Sequence, residues 1–449
     1  MKMPFAKKLV AVLLILALSF SFTGCSVIDV DINNMMEAPK NDADMATIKE
    51  ELDTDSRADY CYPQNGEYRE AVIFTNIRSR SSKDAVAFTY DSNKRINISF
   101  FTFRSGEWRK MEDFTDKSDS IDRILFGDIT GDGNLDMIVG FTNSEDKNVV
   151  SIFAYSEEKG KVEKIDTKFY YTTLLFTNFK SAEKNELCII RKEFTQNENS
   201  ERMAFSVVQY NNKKFYSLGS EYFETRLDTF ENVFFDKDSD GKAYVAVEGK
   251  SLQGSYITQI ITENNYTEKF YSPYSANYER NIPGEFKRSS SVKILSRDID
   301  GDGSKEIPYM SQVTLTSISS AGYITDWVKP TIKSLTKETV MSSIVNTEDN
   351  YIIPIRAEDR NNIAFYSGSD EDSLDVYYIE TDGDGVILKA TKLFTLRVFT
   401  KPTWKEYQEN EYTTYSLILN SRGDAVYAVK DLYESEITDF MLKGFSTIY

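Results

Sequence analysis

The sequence predicts a mainly β chain, a β-propeller of at least five four-stranded blades followed by a smaller C-terminal α+β domain. Three observations lead there. Two acidic, glycine-bearing loops are near copies of one another. Each is flanked by short β-branched and aromatic runs. The strand–loop–strand unit then recurs along the chain at nearly constant spacing, and periods of this length indicate a repeat architecture.

The two clearest loops are Asp128-Ile129-Thr130-Gly131-Asp132-Gly133-Asn134-Leu135-Asp136 and Asp298-Ile299-Asp300-Gly301-Asp302-Gly303-Ser304-Lys305-Glu306. Each places oxygen-bearing side chains at positions one, three, five and nine and glycine at six. A hard cation such as calcium takes six to eight oxygens, and glycine permits the sharp turn that converges them. An EF-hand would also need a bidentate glutamate at position twelve, where this chain has Val139 and Tyr309. The flanks, Ile124-Leu125-Phe126 and Met137-Ile138-Val139, read as strands where an EF-hand has helices.

Three degenerate copies complete the series. One runs from Asn76 to Asp84, another from Asn178 to Glu186, and a third begins Asp236-Lys237-Asp238-Ser239-Asp240-Gly241. Position one therefore recurs at 76, 128, 178, 236 and 298, at spacings of 52, 50, 58 and 62 residues. Within each period a second alternating run, a polar turn and another short run follow the loop strand. The turns at Ser105-Gly106, Lys159-Gly160, Asn211-Asn212 and Asn264-Asn265 have hairpin chemistry. Four strands per repeat, repeated radially, make propeller blades.

These strand–DxDxDG–strand units resemble FG-GAP (VCBS) repeats, the calcium-bearing propeller repeats of integrin α chains and many bacterial surface proteins. The resemblance covers roughly residues 62 to 328. With Gly66-Glu67-Tyr68-Arg69 entering the first repeat, and with the N-terminal features below, the chain looks like a VCBS-repeat lipoprotein of low-GC Gram-positive bacteria. The chain departs from the pattern at Arg78, Arg80 and Lys180, which stand where ligands belong, so those two loops are expected to hold no metal.

Lys2, Lys7 and Lys8 precede an apolar stretch from Leu9 to Phe22, too short to span a bilayer and shaped like a secretory signal. It ends in Phe22-Thr23-Gly24-Cys25, which resembles a bacterial lipobox. Residues 1–24 are thus expected to be a lipoprotein signal peptide and Cys25 the lipidation site. Two acyl chains there would anchor the protein to the outer face of the cytoplasmic membrane. Loss of 1–24 removes three lysines and no acids, moving the net charge from −18 to −21. That acidity argues against nucleic-acid partners, and it fits a solvated surface and bound cations alike. Cys61 and Cys188 remain. No disulfide is indicated between them, and Cys188 lies in an apolar strand as a buried thiol would.

The polar stretch 25–59 reads as an acidic tether with a short helical pattern at Met45–Leu52. Residues 60–328 carry the propeller repeats, and 335–449 the α+β domain. Lys333–Ser342 is expected to be a short helix. Strands are expected at Tyr351–Arg356, Ile363–Tyr366, Leu374–Ile379 and Ala390–Phe399, then a hairpin through Ser421-Arg422-Gly423-Asp424. A closing helix is expected over Glu436–Lys443, capped by Ser435 and ended by Gly444. The Asp382-Gly383-Asp384-Gly385 string has Leu388 at its ninth position, so it reads as a turn.

Ligand count orders the metal sites. Asp128, Thr130, Asp132 and Asp136 with the Asn134 carbonyl form one set. Asp298, Asp300, Asp302 and Glu306 around Ser304 form the other. Asp236, Asp238 and Asp240 are a weaker candidate, because Tyr244 stands at position nine. Ca²⁺ is the expected cofactor. The chain has no histidine, which removes Ser-His-Asp and Cys-His chemistry and every histidine metal site. The glycines lie beside acids that would repel phosphate, and a solute-binding fold would need two α/β lobes the pattern lacks. No catalytic constellation is identifiable. The expectation is a cell-surface lipoprotein whose calcium-stapled propeller acts as a binding, adhesion or envelope scaffold module for an unknown extracellular protein or glycan. The enzymatic alternative is an extracytoplasmic carbohydrate-active lyase or hydrolase on a propeller scaffold, since 71 Asp and Glu residues leave carboxylate-pair chemistry open.

Overall fold

The computed structural model describes residues 42–52, 59–180, 184–195, 200–274, 286–288, 293–309, 323–410, 414–415 and 417–448. The signal segment, Cys25 and the first part of the expected tether lie outside the described residues. Strands take up 57% of the chain and helices 9%, against roughly a quarter strand in an average soluble domain, so the mainly β expectation holds. Among the described residues no helix is long and apolar enough to cross a membrane.

Among the described residues the strands form six antiparallel sheets of four or five strands, broadly in chain order. The first is built on Val72–Thr75, Asp84–Tyr90, Ile96–Arg104 and Glu107–Asp116, with Asp59–Tyr60 at its edge. The second runs through Ser120–Gly127, Asp136–Thr142, Asn148–Ser156 and Lys161–Tyr171. The third has Thr173–Thr177, Glu186–Thr195, Ser200–Asn211 and Lys214–Tyr222. The fourth has Leu227–Lys237, Ala243–Ser251, Tyr256–Glu263 and the short Phe270–Tyr271 and Phe286–Lys287. The fifth has Ile307–Tyr309, Tyr323–Thr331, Thr336–Asn346, Tyr351–Arg356 and Ser446–Thr447. The sixth has Ile363–Ser367, Ser373–Thr381, Ile387–Thr400, Ala425–Lys430 and Leu417–Arg422. In each of the first four sheets a repeat loop joins the first two long strands. The fifth loop leads into Ile307–Tyr309 through the bridge Arg297↔Glu306.

The chain divides into two compact units, 1–168 and 169–449. In the first, sheets one and two share a core that includes Val86, Phe88, Phe100, Ile124, Val139 and Phe153. In the second, alternation along each strand sends successive side chains to opposite faces. Val245 and Val247 of sheet four pack with Ile190, Phe205 and Val207 of sheet three. Tyr244 and Ala246 of the same strand pack with Ile307 and Val328 of sheet five. Sheet five in turn shares Ile344 and Ile353 with Phe365, Val376 and Phe394 of sheet six. Both faces of the central strands are therefore apolar, so these strands read as nearly continuous hydrophobic runs.

Three expectations are corrected. Lys333–Ser342 is not a helix: Thr336–Asn346 is a strand paired with Tyr323–Thr331. Their turn ends at Leu335, whose φ of 59° breaks any helix. The boundary expected at 335 thus lies inside sheet five, and the region after it completes that sheet and contributes the sixth, with short helices packed against both. The stretch 25–59 is not all tether either. Helix α1 (Asp42–Leu52) lays Ile48, fully buried, on Phe74, Ala87, Phe101 and Trp108 of sheet one. Asp44 fastens it, accepting from the Trp108 indole at 3.0 Å and from the Lys83 ammonium at 2.5 Å. Helix α2 (Lys401–Glu409) was not expected, whereas α3 (Glu436–Lys443) matches its expected span. Ser435 accepts the Thr438 amide as its N-cap and Met441 is buried. Asp382 accepts the amides of Asp384 and Val386, making that acidic string the expected turn. Cys61 and Cys188 are free, buried thiols.

Candidate metal centre

In the 128–136 and 298–306 loops the position-one carboxylate folds back on the loop. Asp128 accepts the amides of Gly131 and Gly133 at 2.6 and 2.8 Å, and Asp298 those of Gly301 and Gly303 at 2.7 and 2.9 Å. Both glycines of each pair have positive φ, 77° and 83° in the first loop, which a side chain would strain. Position five holds the amide of position seven, Asp132 to Asn134 at 2.8 Å and Asp302 to Ser304 at 2.9 Å.

Position nine plays a role the sequence reading missed. Asp136 and Glu306 are buried beneath their loops. Asp136 accepts the Ile129 and Thr130 amides, each at 2.8 Å, and Glu306 the Ile299 amide at 2.9 Å. The loops without a full ligand set do the same. Asp84 accepts the Arg78 amide at 3.0 Å, and Glu186 the Phe179 and Lys180 amides at 2.8 Å. A buried carboxylate that latches the amide of position two, of position three or of both is thus common to four of the five repeats. Its signal was the recurrence of Asp or Glu at position nine even where positions three and five had lost theirs.

The ligand candidates are not arranged alike. Carboxylate oxygens of Asp298, Asp300 and Glu306 all lie within 4.8 Å of one another, a spacing that can hold a metal ion. Oε1 of Glu306 is buried and makes no hydrogen bond, although the Lys329 ammonium lies 3.2 Å away. Lys329 also reaches Asp302, and that contact holds the Asp302 carboxyl below the usual carboxylate range. Burial raises Glu306, with Asp300 adding to the effect. The donor set is therefore all oxygen and converging, which fits a hard cation, with the Lys329 ammonium paired to the one Glu306 oxygen that makes no hydrogen bond. Among the described residues no such group of three forms at 128–136. Thr130 stands there in place of Asp300, leaving one fewer carboxylate, and its hydroxyl lies 3.4 Å from Asp136. Burial pushes Asp136 up to about 7, the Thr130 amide opposes this, and the Asp132 charge raises it further.

The weak candidate at 236–240 is used otherwise. Asp236 accepts the Lys305 amide of the next loop at 2.8 Å. Asp238 accepts the amides of Asp240, Lys242 and Ile332 at 3.0, 2.7 and 2.9 Å. Their oxygens face backbone donors instead of one another. In the first loop the Arg78 guanidinium lies 2.7 Å from Asp84, and in the third Lys180 pairs with Glu263.

No protein-family model matches the chain, and no curated protein does. Among solved structures it is similar, at 10% identity and a TM-score of 0.31, to the rhamnogalacturonan lyase of Bacillus licheniformis. That match covers 74% of this chain and 70% of the other.

Proposed function

We propose that the chain is a lipid-anchored, extracytoplasmic scaffold whose β repeats form propeller blades and whose acidic loops are stapled by calcium. The binding faces of this module engage an extracellular protein or glycan. The converging Asp298, Asp300 and Glu306 carboxylates carry the metal part of this reading. The serial sharing of sheet faces from sheet three to sheet six supports the blade part, since radial repetition buries both faces of each blade. The anchor rests on Cys25 behind its basic and apolar leader, and Cys25→Ala should leave the protein unprocessed or free in the medium. Sensor-free extracellular modules of this kind bind calcium with Kd on the order of 10⁻⁴–10⁻³ M. An ion that binds only the folded chain stabilises it by about 2.7 kcal/mol at a hundredfold excess over Kd. The test is thermal unfolding of the mature chain with millimolar calcium or with chelator. The wild type should melt higher in calcium and Asp300→Asn should lose most of that rise; an equal response in both would remove Asp300 from the site, and no response at all would remove the metal.

A further inference from the structure

A cleft of about 940 Å³ opens in the second unit between the 240–242 turn of sheet four, the tip of its 263–271 hairpin and the 332–335 turn of sheet five. Its lining includes Tyr266, 97% exposed, and Tyr271, together with Asp240, Lys242, Glu263 and Asn265. This volume lies in the range of small-ligand sites, which combine apolar or aromatic walls with a few placed polar groups.

Tyr266 is held out deliberately by its turn. Oδ1 of Asn264 accepts the Tyr266 and Thr267 amides at 2.9 and 3.1 Å, and Asn264 exchanges backbone hydrogen bonds with Glu268 and Lys269. The ring is therefore presented on a turn whose backbone is already ordered, so that binding need order the side chain alone. Lys242 donates to Asn265 Oδ1, which leaves the amide NH₂ group of Asn265 as the donor it can offer a ligand. Glu263 is pinned by Lys180. The cleft's two acids, Asp240 and Glu263, are matched by two lysines, Lys242 and Lys333, within a chain of net charge −18. This local neutrality disfavours phosphates and polyanions, and equally a free cation.

We infer that this cleft binds a neutral oligosaccharide. Sugar rings offer C–H faces that pack on tyrosine rings, and hydroxyls that both donate to carboxylates and accept from amide and ammonium groups. The inference rests on the binding reading above and names its ligand and its site.

The test is calorimetry of the mature chain with hexamers of neutral β-glucan, mannan and N-acetylglucosamine, and with a galacturonate hexamer. At least one neutral hexamer should bind, with affinity falling about tenfold or more in Tyr266→Ala, as for a central aromatic anchor, and retained in Tyr266→Phe. Calcium-dependent melting should be the same in Tyr266→Ala as in the wild type. If no neutral hexamer binds, if only galacturonate does, or if Tyr266→Ala binds as the wild type does, the inference is overturned. An intact calcium response beside such a failure leaves the scaffold reading standing, and loss of both refutes the two together.

Discussion

Replacing Glu186 by alanine isolates the position-nine latch in a repeat whose loop carries Lys180 at a ligand position. The carboxylate is fully buried and accepts the Phe179 and Lys180 amides at 2.8 Å, with the Thr177 hydroxyl at 3.3 Å. Lys180 is exposed, so water can take over its amide, whereas Phe179 is half-buried and its amide is left without an acceptor. A buried donor without a partner costs about 1–3 kcal/mol, and the lost bonds to a charged acceptor bring the expected total to about 2–4 kcal/mol. Glu186→Gln retains one acceptor oxygen and should cost about half as much. A chain of two compact units need not unfold in one step, so the readout is amide hydrogen exchange at Phe179, with urea unfolding alongside. Protection there should fall roughly thirty- to several-hundred-fold in Glu186→Ala, since each 1.4 kcal/mol is a factor of ten. Calcium should not restore it. Protection within a few-fold of the wild type would show that water serves this amide as well as the carboxylate does, and the latch would lose its structural role.

Two further outcomes follow from buried charges. Arg288 and Glu248 form an ion pair whose side chains are 1% and 0% exposed, with Ser296 and Thr258 also donating to the carboxylate. Arg288→Met strands that carboxylate and should cost about 3–5 kcal/mol; much of this should return in Arg288→Met with Glu248→Gln, measured by urea unfolding, and no recovery would mean that the arginine packs rather than pairs. Lys337 lies 4.0 and 4.4 Å from the ring centroids of Tyr309 and Phe286, and burial pushes its pKa down to about 8. The unfolded chain therefore holds more protons than the folded one between about pH 8 and pH 10, and Lys337 adds stability as pH rises through that window. Lys337→Met should be the more stable protein at pH 7, with its advantage shrinking toward pH 10; an advantage independent of pH would place the ammonium in water.

Much of the repeat was legible because it is local. Strand–loop–strand units are written in residues a few positions apart, and Tyr351–Arg356 and the Ser435-capped helix were read from the same kind of neighbourhood. Thr336–Asn346 was misread because its outer residues, Thr336, Glu338 and Thr339, are exposed and make the start of the strand look like a polar helix face. The strands of the sixth sheet were readable, but not as a further sheet of the series, because its acidic string joins its second and third strands and no loop of the repeat type opens it. At the candidate centre, the ligand types and their spacing were readable, while their competitors were not. Lys329 reaches Asp302 across 27 positions, Asp236 takes an amide 69 positions away and Asp238 one 94 away. Only the stacking of sheets brings those partners together, and that is why the backbone donors facing Asp236 and Asp238 could not be read from the sequence.

Isothermal titration of calcium into the mature chain, beside Asp298→Asn/Asp300→Asn and Asp132→Asn variants, tests the metal-stapled scaffold most directly. The account predicts uptake with Kd on the order of 10⁻⁴–10⁻³ M, the tighter event lost in the Asp298/Asp300 variant, a weaker one lost in Asp132→Asn, and none assignable to 236–240. No heat at millimolar calcium, or uptake unchanged in the Asp298/Asp300 variant, would contradict it.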